Sequence, residues 1–328
     1  MKPTDFAKRL TDFLSVYLPG QQGVSVNTIR SYRDTFSIFL SYCRDVRSLK
    51  IERFTFSQIN GDLVEDFLTW LESERGNSIA TRNQRLAAIH AFFRYVQVEE
   101  PAHILLCQRI LAIPVKKHRK PQIKYLSSAN LKDILSKPDL KTQTGRRDLL
   151  LLSLLYDTGA RVSELTGLKV RDVRLDEFPI VQLNGKGNKS RQVPLMKKTA
   201  SMLRAYLSEY KLDAPTMLDH PLFFSRRYCK LTRPGVTYIL QKYTDDVKIT
   251  PHILRHTKAM HLLQAGVNII YIRDLLGHVD ISTTEIYARA DTEMKRAALE
   301  NVYQDLIPQS SANWNSDTGL MEWLHGLV

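Results

Sequence analysis

The chain has 328 residues, 43% of them hydrophobic, with 47 basic against 34 acidic side chains for a formal charge of +13. That length exceeds what one core usually serves, so two domains are expected, and the positive balance favours a polyanionic partner. Three scattered cysteines (Cys43, Cys107, Cys229) form no CxxC pair and no run is long and apolar enough to cross a membrane, which argues against a disulfide scaffold, a zinc knuckle or a membrane span and fits the cytoplasm.

The first stretch, MKPTDFAKRLTDFLSVYLPG, interrupts its apolar residues with Asp5, Lys8, Arg9 and Asp12, which makes it an amphipathic helix and not a signal peptide. From Asn27 to Arg44, the spacing puts Ile29, Tyr32, Phe36, Phe39 and Leu40 on one face and leaves Arg30 and Arg33 off it. Asn60 to Glu74 repeats the pattern with Leu63, Phe67, Trp70 and Leu71 inward. Ser78 to Val96 reads as a capped helix that buries Ile79, Leu86, Ile89, Phe93 and Val96, with Thr81, Arg82, Asn83 and Arg85 on its other face. Basic faces of this kind are ordinarily solvated. Arginine and asparagine side by side are also the residue types that reach phosphates and base edges in a major groove. Arg30, Arg33, Arg82, Asn83 and Arg85 are therefore candidate DNA contacts in an all-helical first domain, residues 1–113.

Residues 114–124 form a linker in which VKKHRKPQIK carries five basic residues, a proline and no acid. Lys116, Lys117, Arg119 and Lys120 either track a phosphate backbone or are simply solvated. The second domain, residues 125–307, opens with a capped helix at Ser127 to Leu135. Arg146 to Tyr156 is apolar almost all round and is expected to be buried. After the Thr158-Gly159 break, Arg161 opens another helical segment. Glu164, one turn on, either holds that guanidinium or makes a surface pair. A hairpin is expected from Phe178 to Leu183 and from Arg191 to Leu195, around a turn holding Gly185, Lys186 and Gly187. GKGNKS is not the phosphate-loop pattern. Helices follow at Lys197 to Tyr210 and Arg233 to Tyr243, with a short buried strand or turn at Pro221 to Phe224 between them. There are no internal repeats.

The stretch HILRHTKAMHLLQAGVNIIYIRDLLGHVDISTTEIY begins at His252 behind Thr250 and Pro251, a good helix entry. His252 and Arg255 stand three apart and share a helix face, and that helix should end near Gly266. A second helix from Val267 to Leu276 closes on Gly277 and presents His278. Ile281 to Ala288 carries Tyr287. Arginine clamps phosphate oxygens, imidazoles donate to them or move protons, and a phenol can act as nucleophile. A lone tyrosine or histidine on a helix is ordinarily structural; the ordered set is what turns the reading to chemistry.

With YDTGARVSELTGL and LNGKGNKSRQVPL upstream, this set resembles the tyrosine recombinases, the phage-integrase-like family. Six positions match in order: Arg161, Lys186, His252, Arg255, His278 and Tyr287. The resemblance spans about residues 27–306 and is strongest from Tyr156 onward. It implies a mainly α fold with a small β-sheet or hairpin, a helical core-binding domain that grips DNA, and a mixed α/β catalytic domain. It implies site-specific strand exchange through a 3′-phosphotyrosine and a Holliday junction, with no metal, ATP or other cofactor. The implied partners are double-stranded DNA with inverted-repeat core sites and a homotetramer on two duplexes, with a second recombinase or accessory protein as a further option. In the family, the segment after the tyrosine docks on a neighbouring protomer. Here residues 308–328 end in the apolar GLMEWLHGLV, which folds back, docks in trans or covers the active site.

Three rival readings are open. A metal-dependent nuclease would use His252 and His256, i and i+4 on one helix, with His261, but no carboxylate lies on that helix and Arg255 would repel a cation. A catalytically silent DNA-binding regulator would not need all six positions filled. A type IB topoisomerase uses the same chemistry but not this short two-domain layout.

Overall fold

The computed structural model describes residues 3–118, 123–185, 189–225, 228–244, 249–277, 284–287 and 318–326. They fall into two compact units, Met1–Pro121 and Gln122–Val328.

The first unit is helical: α1 (Asp5–Asp12), α2 (Val26–Asp45), α3 (Gly61–Ser73), α4 (Ile79–Glu99) and α5 (Ile104–Leu111). Serine and asparagine set the starts, because their side-chain oxygens accept the first unpaired amides: Ser25 from Thr28, Asn60 from Leu63 and Ser78 from Thr81. After α1 the chain winds wider through Phe13–Gln21, which contains Pro19. The core is aromatic. Phe92, fully buried on α4, meets Phe6, Phe13, Phe36, Phe56 and Phe93 with ring centroids 5.0–6.3 Å apart. Arg9 ties α1 to the end of α4 through Glu100 at 2.7 Å.

One expectation fails here. α4 buries Arg82, His90, Phe92 and Tyr95 besides Leu86, Ile89, Phe93 and Val96 of its predicted stripe, while Ile79 is only half-buried, so it is a central helix and not an amphipathic one. Its neighbours α2, α3 and α5 close over the face that the sequence assigned to solvent. A second correction concerns the linker. Its first residues are fastened to the first unit: Asn83 exchanges hydrogen bonds with the Lys116 backbone at 2.8 and 3.2 Å, and Lys116 Nζ meets Glu72 at 2.7 Å.

The second unit starts with α6 (Ser128–Ser136), capped by Ser127, and α7 (Gln143–Thr158), capped by Thr142. α7 is the buried core helix that its sequence predicts, with Leu150, Leu151, Leu152, Leu154 and Leu155 at most 1% exposed. It packs between α9 (Lys197–Glu209) and α11 (Pro251–Gln264). α8 (Val162–Gly167) leads into an antiparallel sheet of order β1 (Val173–Arg174), β2 (Ile180–Asn184), β3 (Ser190–Pro194). The register pairs Val181 with Val193 and Leu183 with Arg191, so the valines and Leu183 share the buried face. Two-residue β1 carries too little pattern to be read from sequence. Pro221 and Phe224 make only isolated bridges, to Lys169 and Lys230, although Leu222 and Phe223 are buried. α10 (Arg233–Gln241), α11 and α12 (Ile269–Leu276) complete the unit, and residues 284–287 are helical. Thr318–His325 is also helical.

Candidate active site

Four of the six motif residues lie in the described segments, at the start of α8, on α11 and in 284–287. Lys186 and His278 lie outside the described residues, as do Arg119 and Lys120 of the linker.

Arg161 is placed by the turn that ends α7. Gly159 there has φ +56°, and a Cβ on it would come within 2.8 Å of Leu276 Cδ2, so glycine allows both the left-handed cap and close packing against α12. Arg161 then caps α8. Its amide donates to Glu164 Oε2 at 2.9 Å, and its Nη1 donates to Glu164 Oε1 at 2.9 Å. Glu164 is 5% exposed, so of the two readings left open it takes the one that holds the guanidinium.

Glu164 has a second partner that the sequence reading missed. Arg191 of β3 donates from Nη1 and Nη2 to its two oxygens, at 3.1 and 2.8 Å, and from Nε to the Leu275 carbonyl at 2.7 Å. Burial pushes the Glu164 carboxyl up, but hydrogen bonds from Arg191 and from the Arg161 backbone outweigh it, and its pKa lies below the ordinary value. The only signal in the sequence is alternation, which puts Arg191 on the same strand face as the buried Val193.

Arg255 is 4% exposed and braces two chain reversals. Nη1 donates to the Gly159 carbonyl at 2.6 Å and Nη2 to the Leu276 carbonyl at 2.7 Å. It thereby fixes the residues just before Arg161 and just before Gly277, which leads to His278. Burial, then the nearby Arg161, pull its pKa down to about 10, so it stays charged at neutral pH. His252, on the same helix, keeps part of its surface exposed; the part of the ring packed against the protein, then the fields of Arg255, Arg161 and Arg233, lower its pKa.

Tyr287 is 1% exposed and packs with Ala259, Met260, Leu263, Ile272 and Leu276. Burial raises its pKa while Arg255 and Arg161 pull against the rise, so the phenol is protonated at neutral pH. Its hydroxyl lies 2.8 Å from His256 Nδ1, a residue that the sequence reading considered only as a metal ligand. The other histidine of that idea, His261, is bonded to the Tyr156 hydroxyl at 2.9 Å and faces the Leu126 carbonyl at 3.0 Å. Among the described residues, no group of three or more His, Cys, Asp or Glu side chains is gathered as for a metal.

The expected DNA-contacting face divides. Arg30 and Arg33 are exposed, Arg33 beside Asp34 at 3.3 Å, and Lys117 is exposed. Arg82 is not on an exposed face: it is 6% exposed and donates to the Pro114 carbonyl and Asn83 Oδ1, each at 3.1 Å. Arg85 is half-buried and donates to Ser31 O and Thr35 Oγ1 at 3.2 and 2.9 Å. Both guanidiniums are held by the fold of the first unit, because α4 runs through its centre.

Comparison with known proteins gives the family. Residues 124–294 match the phage integrase family and residues 10–100 match the phage integrase N-terminal SAM-like domain. The Sinorhizobium fredii protein y4rC, named as an integrase/recombinase, is 37% identical over 99% of both chains. Tyrosine recombinase XerD of Listeria innocua is 33% identical over 92% of this chain and 99% of its own. Among solved structures, the XerH site-specific recombinase on a palindromic difH substrate shares the fold with TM-score 0.65 at 24% identity, covering 85% of this chain and 81% of its own. The Tn1549 transposon integrase with transposon right-end DNA does so with TM-score 0.66 at 18% identity, covering 89% and 99%. Matched in both units and along nearly its whole length, the chain belongs to the phage integrase family, as a tyrosine recombinase of the class that cuts and rejoins DNA in site-specific recombination.

Proposed function

We propose that Tyr287 is the nucleophile and that Arg161, Lys186, His252, Arg255 and His278 serve the phosphate it attacks. What carries the reading is that Tyr287 packs against Leu276, whose carbonyl Arg255 holds while its other nitrogen holds the Gly159 carbonyl just before Arg161, although the three motif residues come from separate segments. Attack on a phosphodiester builds negative charge on the non-bridging oxygens. Arg161 and Arg255 meet that charge, with His252 and His278 adding hydrogen bonds, each contact worth about 3–4 kcal/mol. Lys186 protonates the departing 5′-oxygen. The 3′-phosphotyrosine ester keeps the bond energy, so an incoming 5′-hydroxyl reverses the step without ATP. Four protomers on two duplexes then exchange strands in turn through a Holliday junction.

Duplex DNA as partner is supported by the DNA-bound state of the recombinases that share the fold and by the +13 charge. Arg30, Arg33, Lys117, Arg119 and Lys120 are the contacts we assign to it. Asn83, Arg85 and Lys116 contribute by shaping the surface that carries them. Because Tyr287 is 1% exposed, the groups covering it must open before a duplex phosphate reaches its oxygen. Trp323 and Leu324, 61% and 48% exposed on the carboxy-terminal helix, supply an apolar contact for a neighbouring protomer.

The test is Tyr287→Phe in the full chain, assayed for covalent protein–DNA on nicked suicide duplexes. Adduct formation should vanish with DNA affinity unchanged. An adduct that persists moves the nucleophile elsewhere, with Tyr271 next to be replaced.

A further inference from the structure

His256 is not one of the six motif positions, yet it contacts one of them, Tyr287. His256 follows Arg255 on α11 and is half-buried, and its Nδ1 lies 2.8 Å from the phenol oxygen. The two rings are 5.6 Å apart at 56°, and with its proton on Nε2 the imidazole accepts the hydroxyl proton at Nδ1. Two of the groups acting on it come from its own helix, His252 and Arg255, and Tyr287 faces it from 284–287. Burial first, then those two neighbours, lower its pKa, which keeps the ring neutral and able to accept a proton at pH 7. A protonated phenol is a weak nucleophile, and its own burial makes it weaker still.

We infer that His256 is the general base of strand cleavage, taking the proton of Tyr287 as the phenol oxygen attacks phosphorus. The inference rests on Tyr287 being the nucleophile. The Oη–H proton passes to Nδ1 while the Oη–P bond forms. The P–O5′ bond breaks, and the leaving 5′-oxygen takes a proton from Lys186. On rejoining, the imidazolium returns its proton to Oη as the phosphotyrosine bond breaks. This requires the neutral tautomer with its proton on Nε2. His252 is less suited to the task, being exposed and set among Arg161, Arg255 and Arg233, where it can donate to a phosphate oxygen.

The experiment uses the full chain and nicked duplexes tiled from the DNA that flanks its coding sequence, keeping those that the wild type captures covalently. His256→Asn preserves a hydrogen-bond partner near the Nδ1 position but cannot carry the proton. Single-turnover adduct formation should fall by about 10²-fold or more, with loss of the acid limb of the pH–rate profile. Added imidazole should restore part of the rate of His256→Ala, which a purely structural role would not allow. Unchanged cleavage in His256→Asn overturns the inference. So does faster cleavage, which would make the contact a latch on the buried tyrosine. An adduct formed by Tyr287→Phe removes the nucleophile reading itself, and is distinguished by appearing without any change at His256. If the wild type captures none of the duplexes, 3-fluorotyrosine at position 287 decides by its 19F resonance. A titration step on the acid side of neutrality that disappears in His256→Asn supports the contact, and a flat trace overturns it.

Discussion

Arg255 illustrates how much one side chain does here. Its planar fork spans the Gly159 and Leu276 carbonyls, so one buried cation sets two reversals from which motif residues emerge. Lys186, set between two glycines in the sequence, is at the other extreme, with an assigned role that is chemical alone. Lys186→Ala should slow cleavage by about 10²–10⁴-fold while leaving binding unchanged, and a 5′-bridging sulfur, which leaves without a proton, should recover most of the rate. If sulfur gives no recovery, the acid is another group, with Lys189 next to test. Histidines set a pH dependence of stability. His90 is 8% exposed with Nε2 at 3.0 Å from the Ile110 carbonyl. Burial lowers its pKa, only partly opposed by that carbonyl, and His252 and His256 are lowered too. The unfolded chain therefore binds more protons than the native one as pH falls through the ordinary histidine value of about 6.5. Thermal stability should decline across that range, and His90→Gln should flatten part of the decline. A melting temperature that is level from pH 7.5 down to the native histidine pKa values would contradict this.

At the level of elements, the catalytic unit is held by contacts between segments distant in sequence. Arg191 joins β3 to α8 through Glu164 and to the end of α12 through the Leu275 carbonyl. Gly277, at φ +63°, lies directly over it: a Cβ there would stand 2.8 Å from Arg191 Nη1. Strand β3, the Glu164 side chain that holds Arg161, and the end of α12 thus share one guanidinium. Arg191→Ala would leave Glu164 buried with Arg161 as a remaining partner, a loss of about 3 kcal/mol. Differential scanning calorimetry should show a fall of several degrees, and Arg191→Lys should recover little, because an ammonium cannot hold both carboxylate oxygens and the carbonyl. The depressed Glu164 pKa gives the same network an acid limit. Its contribution is complete above the ordinary carboxyl value and is lost as pH falls through the lower native one. A wild-type melting temperature in the variant would mean that the network contributes nothing to stability.

For the molecule as a whole, the +13 charge is the property that partners sense first. Binding to a duplex of arbitrary sequence should be steeply salt-dependent. Six or more phosphate contacts would cost about 10³-fold in affinity between 50 and 200 mM salt. Fluorescence anisotropy against salt measures the slope, and a shallow one would mean that the charge is dispersed without contacting phosphate. Pairing of Lys116 with Glu72 takes one cation from that total, so Lys116→Ala should change the slope less than Lys117→Ala.

Local physics made much of this protein legible before any fold was known. Helix starts follow from the serines and threonines that cap them, and the ends at Gly159 and Gly277 follow from glycine's access to positive φ. The motif positions were readable because the resemblance to the tyrosine recombinases is carried by short local stretches, such as YDTGARVSELTGL around Arg161. What the sequence could not supply was the company each side chain keeps. Arg82 has the pattern of a surface residue, yet α4 is enclosed by its neighbours and the guanidinium is spent on the Pro114 carbonyl. The carboxylate of Glu164 left two readings equally open until a strand 27 residues away brought Arg191 to it. His256 and Tyr287 are 31 residues apart, and no periodicity links them. Their hydrogen bond exists because α11 and 284–287 pack into one apolar cluster, and packing of that kind is a property of the folded chain and not of any local stretch.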